Sequence, residues 1–362
     1  MGSLERLERR NHDYLLLETI KRVGVQNYSL LSRLTGLNPE TIRYKVNKHL
    51  TRLGLNTTIN INYGELGLSL SYLVVRPTAS AGKSWLDTLS YLIFTSKLVG
   101  ANKYFCLSAV PFRFKKKYSD ILEDLRAKGE IADFEFKDLY WVRYPPFRAE
   151  LYDFDKRTWQ VDWGKFGLFM KESGPAYVSV NRDSVVDYVD LQILKSMLQD
   201  PTVPLAKTAK AMNANPRTVR YHNSEHVLTG KFILSNNIRW VKPIQEGNPG
   251  KLMQVAILFR GLNDQDIEKA RKFCNNLPFT WFEAGTEDRT YLSLADIPIE
   301  IFHETMQRIE LYLGGIGDRY ELMLLDPSNS KTLGIPDEMF DVERGWRLFN
   351  IPNPQVERAG ES

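Results

Sequence analysis

The 362-residue sequence predicts an α+β chain in which one order of elements is written twice. Three observations predict it. The phrase NPETIRY at residues 38–44 returns as NPRTVRY at residues 215–221, 177 positions later, with five identities and one Ile/Val exchange. Each phrase sits between a short helical pattern closed by Gly36 or Asn213 and a stretch that alternates polar with β-branched residues. Each is then followed by segments in the order βαββαβ. Together these predict two winged helix-turn-helix domains and two ferredoxin-like domains in tandem duplication. The boundaries read from the sequence are 1–64 and 185–245 for the winged units and 65–147 and 250–328 for the ferredoxin-like units. An aromatic tail and connector fills 148–184, and a second tail fills 329–362.

The phrase itself reads as a helix start. Asn38 is a good N-cap because its side chain can accept from an orphan backbone N–H. Pro39 follows at the first helical position, where its missing donor costs nothing. Ile42, Val46, Leu50 and Leu53 then form one apolar stripe, with long polar side chains opposite. Upstream, a helix over roughly 29–35 ends at Gly36, which tolerates the left-handed conformation that closes a helix. An earlier helix, about 13–23, completes a three-helix unit, and LNTTININYGEL reads as the wing. In the second copy a helix over about 186–198 comes first, then PLAKTAKAM, with Asn213 where Gly36 stood. Asn is the next best residue for that position. NPRTVRYHNSEHVL is the third helix and GKFILSNNIRWV the wing. Asn223 replaces Val46 and Gly230 replaces Leu53, so this copy has drifted.

After the first wing, SLSYLVVRP predicts a strand, SWLDTLSYLIF a helix, LVGANKYFCLSAVP a strand pair, RFKKKYSDILEDLRAKG a helix and IADFEFKDLYWVRY a strand. After the second, LMQVAILFRG, DQDIEKARKFCNNL, FTWFEAGTEDRTYLSLADIP, IEIFHETMQRIELYLG and RYELMLLD follow in the same order. The tails match too, as ELYDFDKRTW and EMFDVERGW, ending at Trp159 and Trp346. Residues 160 to about 184, with Gly164, Gly167, Gly174 and Pro175, read as the connector.

SRLTGLNPETIRYKVNKHL, INYGELGLSLSYLVVRP with its GLS junction, and VGANKYFCLSAVP carry a resemblance to the Lrp/AsnC (feast/famine) transcription regulators. With the second copy it spans about four fifths of the chain by order of elements, specific in the first repeat and loose in the second. The resemblance implies DNA binding through the helix-turn-helix, a βαββαβ regulatory domain, assembly as a homodimer, and a small effector such as an amino acid. Two units fused in one chain depart from the family's usual single unit, and suggest an archaeal source.

Net charge is +4, too small alone to imply nucleic acid, but it is unevenly placed. Residues 14–56 carry seven cations against Glu18 and Glu40, a net of +5, and residues 186–240 a net of +3. The candidate DNA-binding residues are Thr41, Arg43, Tyr44, Lys45, Lys48 and Arg52 in the first copy. In the second they are Arg217, Thr218, Arg220, Tyr221 and His222. Arg43 and Thr41 near the helix start suit base edges, since Arg pairs bidentately with guanine. Lys45, Lys48 and Arg52 suit phosphates. RFKKK places cations at a helix start, against the dipole, and reads either as a solvated face or as a contact with an acidic partner.

Cys106 and Cys274 show no CxxC spacing and read as buried thiols; the five histidines look scattered. No metal, no cofactor and no catalytic constellation is expected, and an enzyme is not. No apolar run reaches the roughly 20 residues of a membrane span. The expected location is the cytoplasm, associated with the nucleoid. The function expected is a DNA-binding transcription regulator whose two units act as an intramolecular pseudo-dimer on an imperfect palindrome. Its rivals are a non-specific architectural DNA-binding protein and a protein-interaction module of the transcription machinery.

Overall fold

The computed structural model describes residues 3–80, 82, 84–166, 177–178, 186–240, 252–313 and 319–348. Most of the expected connector and the end of the second tail lie outside them. The chain is α+β, and among the described residues every sheet pairing is antiparallel.

The first helical unit comprises α1 (Ser3–Val23), α2 (Tyr28–Thr35), α3 (Pro39–Tyr44), a π-helical turn over Lys45–His49 and α4 (Leu50–Arg52). Gly36 closes α2 with φ 73°, and Asn213 occupies the matching place at φ 53°. Strand β1 (Leu55–Ile61) follows, then β2 (Leu68–Pro77), α5 (Ser84–Thr88), β3 (Leu92–Lys97), β4 (Tyr104–Pro111), α6 (Lys115–Ala127), β5 (Ile131–Asp138) and β6 (Trp141–Arg143). The first tail forms a hairpin, β7 (Tyr152–Asp153) with β8 (Thr158–Trp159), before α7 (Trp163–Phe166) and β9 (Tyr177–Val178).

The second half repeats the order: α8 (Tyr188–Gln199), α9 (Leu205–Ala211), α10 (Pro216–Tyr221), a π-helical turn over His222–Leu228 and β10 (Ile233–Trp240). Then come β11 (Leu252–Phe259), α11 (Asp264–Asn276), β12 (Thr280–Gly285), β13 (Tyr291–Pro298), α12 (Ile299–Leu313), β14 (Tyr320–Leu325), β15 (Lys331–Thr332) and the hairpin β16 (Phe340–Asp341) with β17 (Gly345–Trp346).

Two expectations need correction. The segment expected as one helix over SWLDTLSYLIF is helical only through Thr88. Tyr91 turns the chain at φ 66°, and Leu92, Ile93 and Phe94 are buried in β3. Bulky and branched side chains gain more from a sheet buried on both faces than from one turn of helix. The last strand expected in the first half also breaks after Asp138, and β6 leaves for the other sheet.

One sheet runs β5-β2-β4-β3-β15 and the other β14-β11-β13-β12-β6-β9. The halves therefore trade strands: β6 of the first half pairs with β12, and β15 of the second pairs with β3. The two wing strands, β1 and β10, pair with each other from Leu55↔Trp240 to Ile61↔Ile233. Packing is crossed as well, with α1 against β10 and α8 against β1. Gly24, at φ +76°, lets α1 approach this ribbon, because a Cβ there would meet the Asn236 side chain at 2.9 Å. Leu16, Leu17, Leu31 and Ile42 share one core with Val255, Ile257 and Phe259. Leu191, Leu194, Val219 and Val227 share the other with Tyr72, Phe105 and Leu122.

Candidate nucleic-acid interface

Both repeated phrases start helices. The Asn38 side chain accepts the Thr41 N–H at 2.7 Å, and the Asn215 side chain accepts the Arg217 N–H at 2.9 Å. Pro39 and Pro216 stand at the first helical position. Ile42, Val46, Leu50 and Leu53 are buried. In the second copy Val219 and Val227 are buried and Asn223 lies between them.

The opposite face of the first helix exposes Arg43, Tyr44, Lys48 and Arg52, with Thr41 half-buried. Arg43 lies 3.4 Å from the Glu40 carboxylate and 6.0 Å from the Tyr28 ring centre, and Arg52 donates to the Tyr44 hydroxyl at 3.4 Å. These exposed, loose contacts hold side chains along the helix without retiring their charge. The second helix exposes Arg217, Thr218, Arg220 and Tyr221, and Lys207 and Lys210 are exposed on α9.

Two candidates do not belong to these faces. Lys45 is buried, its Nζ 2.5 Å from Asp13 of α1. His49 reaches the other oxygen of the same carboxylate at 3.0 Å. Burial alone would raise the Asp13 pKa, but the hydrogen bonds from His49 and Lys45 outweigh it and the carboxyl sits below its ordinary value. Likewise His222 turns inward, its Nδ1 3.0 Å from Asp190 and 3.2 Å from Asp187. In both copies two residues four apart, neighbours on one helix face, meet one carboxylate of the preceding long helix, and both pairs lie in the π-helical turn.

Two of the five histidines, His222 and His226, are therefore not scattered but gathered with two carboxylates. Asp187, Asp190, His222 and His226 offer ligand atoms that all lie within 4.8 Å of one another. The offset of 177 that relates the two phrases also takes Asp13 to Asp190, Lys45 to His222 and His49 to His226. That offset was the signal for these residues, visible once carried beyond the phrase.

The RFKKK segment divides: Lys116 and Lys117 are exposed, while Arg113 and Lys115 make contacts within the fold. Arg113 donates to the Trp346 carbonyl of the second tail, and Lys115 pairs with Asp138 at 2.7 Å. Trp159, Trp163 and Trp346 are buried. Burial pushes the Cys274 thiol up to about 12 and raises Cys106 too, as expected of inert thiols.

Where the wing ribbon meets the two sheets lies a cavity of about 170 Å³. Its walls come from both halves and include Tyr144, Phe147, Trp240 and Trp281. The polar side chains on its walls include Asn60, Asn237 and Thr280 as well as one charged pair. Arg239 stacks 4.6 Å from the Trp281 ring centre and lies 3.6 Å from Asp296, whose carboxyl is raised by burial against the pull of Arg239.

No family model matches the chain. No curated protein matches it either. Among solved structures, it is similar to the siroheme decarboxylase NirDL at 10% identity and a TM-score of 0.49, over 87% of this chain and 90% of that one. Escherichia coli AsnC is similar at 19% identity and a TM-score of 0.27, over 38% of this chain and 95% of that one. Mycobacterium tuberculosis leucine response regulatory protein (LrpA) is similar at 17% identity and a TM-score of 0.26, over 35% and 90% respectively. None of the described helices is long and apolar enough to cross a membrane. The expectation that an enzyme is improbable is withdrawn, since the solved structures this chain is similar to include that of a decarboxylase.

Proposed function

We propose that the chain binds double-stranded DNA as a transcription regulator of the Lrp/AsnC kind. In this reading it is a tandem duplication of winged helix-turn-helix and ferredoxin-like units, and its two helical units act as a built-in pseudo-dimer. One observation carries the reading: two Asn-Pro-capped helices expose cations, each hung on one strand of the shared β1–β10 ribbon. Arg43 and Arg217, in the first turns, suit base edges; Lys48, Arg52 and Arg220 suit phosphates. Half-sites in such a dimer lie roughly 34–36 Å apart or a multiple. The helices differ at Glu40 and Arg217, so the preferred site is an imperfect palindrome.

Binding-site selection followed by titration at several salt concentrations tests this. Lys48→Ala and Arg52→Ala should each reduce the salt slope by about 1 and weaken all sequences alike, whereas Arg43→Ala should cost about 1–3 kcal/mol at one base position. Unchanged affinity in all three variants would sink the reading. Binding without an enriched sequence would favour an architectural role.

The cavity supports a second reading, a small ligand held between the halves. Its apolar walls with the Arg239–Asp296 pair suit a molecule of amino-acid size carrying at least one charge. A thermal-shift screen of amino acids, repeated on Trp281→Ala, tests it: stabilisation of the parent chain alone supports this reading, and none from any of them rejects it.

A further inference from the structure

We propose that Asp187, Asp190, His222 and His226 form a binding site for a single divalent transition-metal ion of the zinc type, which pins the second capped helix to α8. The site is independent of the DNA reading.

The geometry comes first. A tetrahedral zinc with bonds of about 2.0–2.1 Å places its donors about 3.3 Å apart. His222 Nδ1 stands 3.2 Å from Asp187 Oδ2 and 3.0 Å from Asp190 Oδ1. His226 Nδ1 stands 3.3 Å from Asp190 Oδ2 and 3.9 Å from Asp187 Oδ2. The imidazoles present their Nδ1 atoms to the two carboxylates, with ring centres 4.5 Å apart. Two imidazoles and two carboxylates are a donor set suited to zinc, and the two aspartates neutralise a divalent charge.

The carboxylates are already oriented. Asp187 Oδ1 accepts the Asp190 N–H at 3.0 Å as the N-cap of α8, which leaves Oδ2 to face the histidines. Asp190 Oδ2 takes the Asp187 N–H at 3.2 Å. Such outer hydrogen bonds fix ligand orientation in metal sites.

The first copy supplies the contrast. There the buried carboxylate, Asp13, is met by the Lys45 Nζ at 2.5 Å together with His49. At the same offset the second copy has His222, and Asp187 stands where the first has Arg10. Two basic residues have become one imidazole and one carboxylate. Asp190 is fully enclosed. A bound divalent ion would stand against this carboxylate where the Lys45 Nζ stands against Asp13.

The test uses the full chain, stripped with a chelator and dialysed. Zinc alone is titrated in competition with a chromophoric chelator, and Co2+ alone is followed by visible absorption. One equivalent of zinc per chain and the intense bands of tetrahedral Co2+ are expected. Asp187→Asn keeps an N-cap oxygen, so it folds while losing a charged donor; it and the half-exposed His226→Ala should each weaken zinc binding by more than about 10-fold. His49→Ala, in the first copy, should leave the stoichiometry unchanged. No zinc binding by the parent chain, weak octahedral Co2+ bands, or parental affinity retained in both second-copy variants would overturn the site and leave an ion-pair clamp.

Discussion

Arg143 of β6 faces Glu283 of β12 at 3.5 Å, where a strand from the first half completes the sheet of the second. Both are buried, Glu283 completely. Burial pushes the Glu283 carboxyl up to about 7, although Arg143 and Arg271 pull it down. Its folded pKa thus lies above the unfolded one. The stability this implies is fully present below the unfolded value and is lost as pH rises through about 7. A shift from 4.5 to about 7 corresponds to about 3 kcal/mol. Glu283→Gln should flatten the fall in melting temperature between pH 5 and pH 8 and should be the more stable chain at pH 8. An unaltered pH profile in the variant would refute this.

The buried pair in the first copy has the opposite sign. Asp13 is held below its ordinary pKa, so its contribution is present above the unfolded pKa and lost as pH falls through the folded one. Lys45→Met should destabilise by on the order of 3 kcal/mol, because it strands a buried carboxylate, while Asp13→Asn with Lys45→Met should recover much of that. Denaturant unfolding of the three variants measures it. A double variant worse than Lys45→Met would contradict the assignment of the loss to an unpaired charge.

Gly36 and Asn213 hold the same left-handed position with different residues. No atom stands within 4 Å of a Cβ built on Gly36, so Gly36→Ala should cost only the backbone strain, about 1–2 kcal/mol. Asn213→Gly should be neutral or slightly stabilising. Thermal unfolding decides: a silent Gly36→Ala would show that α2 ends without needing that conformation.

Asn38→Ala removes the bond to the Thr41 N–H and should cost about 1 kcal/mol of stability. Asn215→Ala should cost a similar amount through Arg217. Asn38→Asp or Asn38→Ser, which also cap, should restore most of it. Failure of either to rescue would mean that Asn38 acts through something other than its cap.

The helix starts were legible because Asn-Pro acts locally: one side-chain oxygen and one fixed φ set the first turn whatever surrounds it. The inner stripe Ile42, Val46, Leu50 and Leu53 was legible for the same reason. Lys45 and His222 were not. They stand three residues after the buried Ile42 and Val219, on the flank of the inner stripe, and nothing in the phrase shows that Asp13 and Asp190, 32 residues upstream, meet them there. The strand trading was hidden too. Nothing in WVR or KT tells which sheet will take them, since the choice depends on edges offered by residues more than a hundred positions away. The metal-ligand set was missed because four residues drawn from two helices show no short motif; only the repeat offset connects them.

The traded strands have a consequence for how the chain can be divided. A cut between β9 and α8 yields two pieces that each hold a strand belonging to the other's sheet and helices that pack on the other's wing. Neither piece is a smaller version of the whole. Separated, the pieces should be stable only as a matched pair in equal amounts, and one polypeptide fixes that ratio at synthesis.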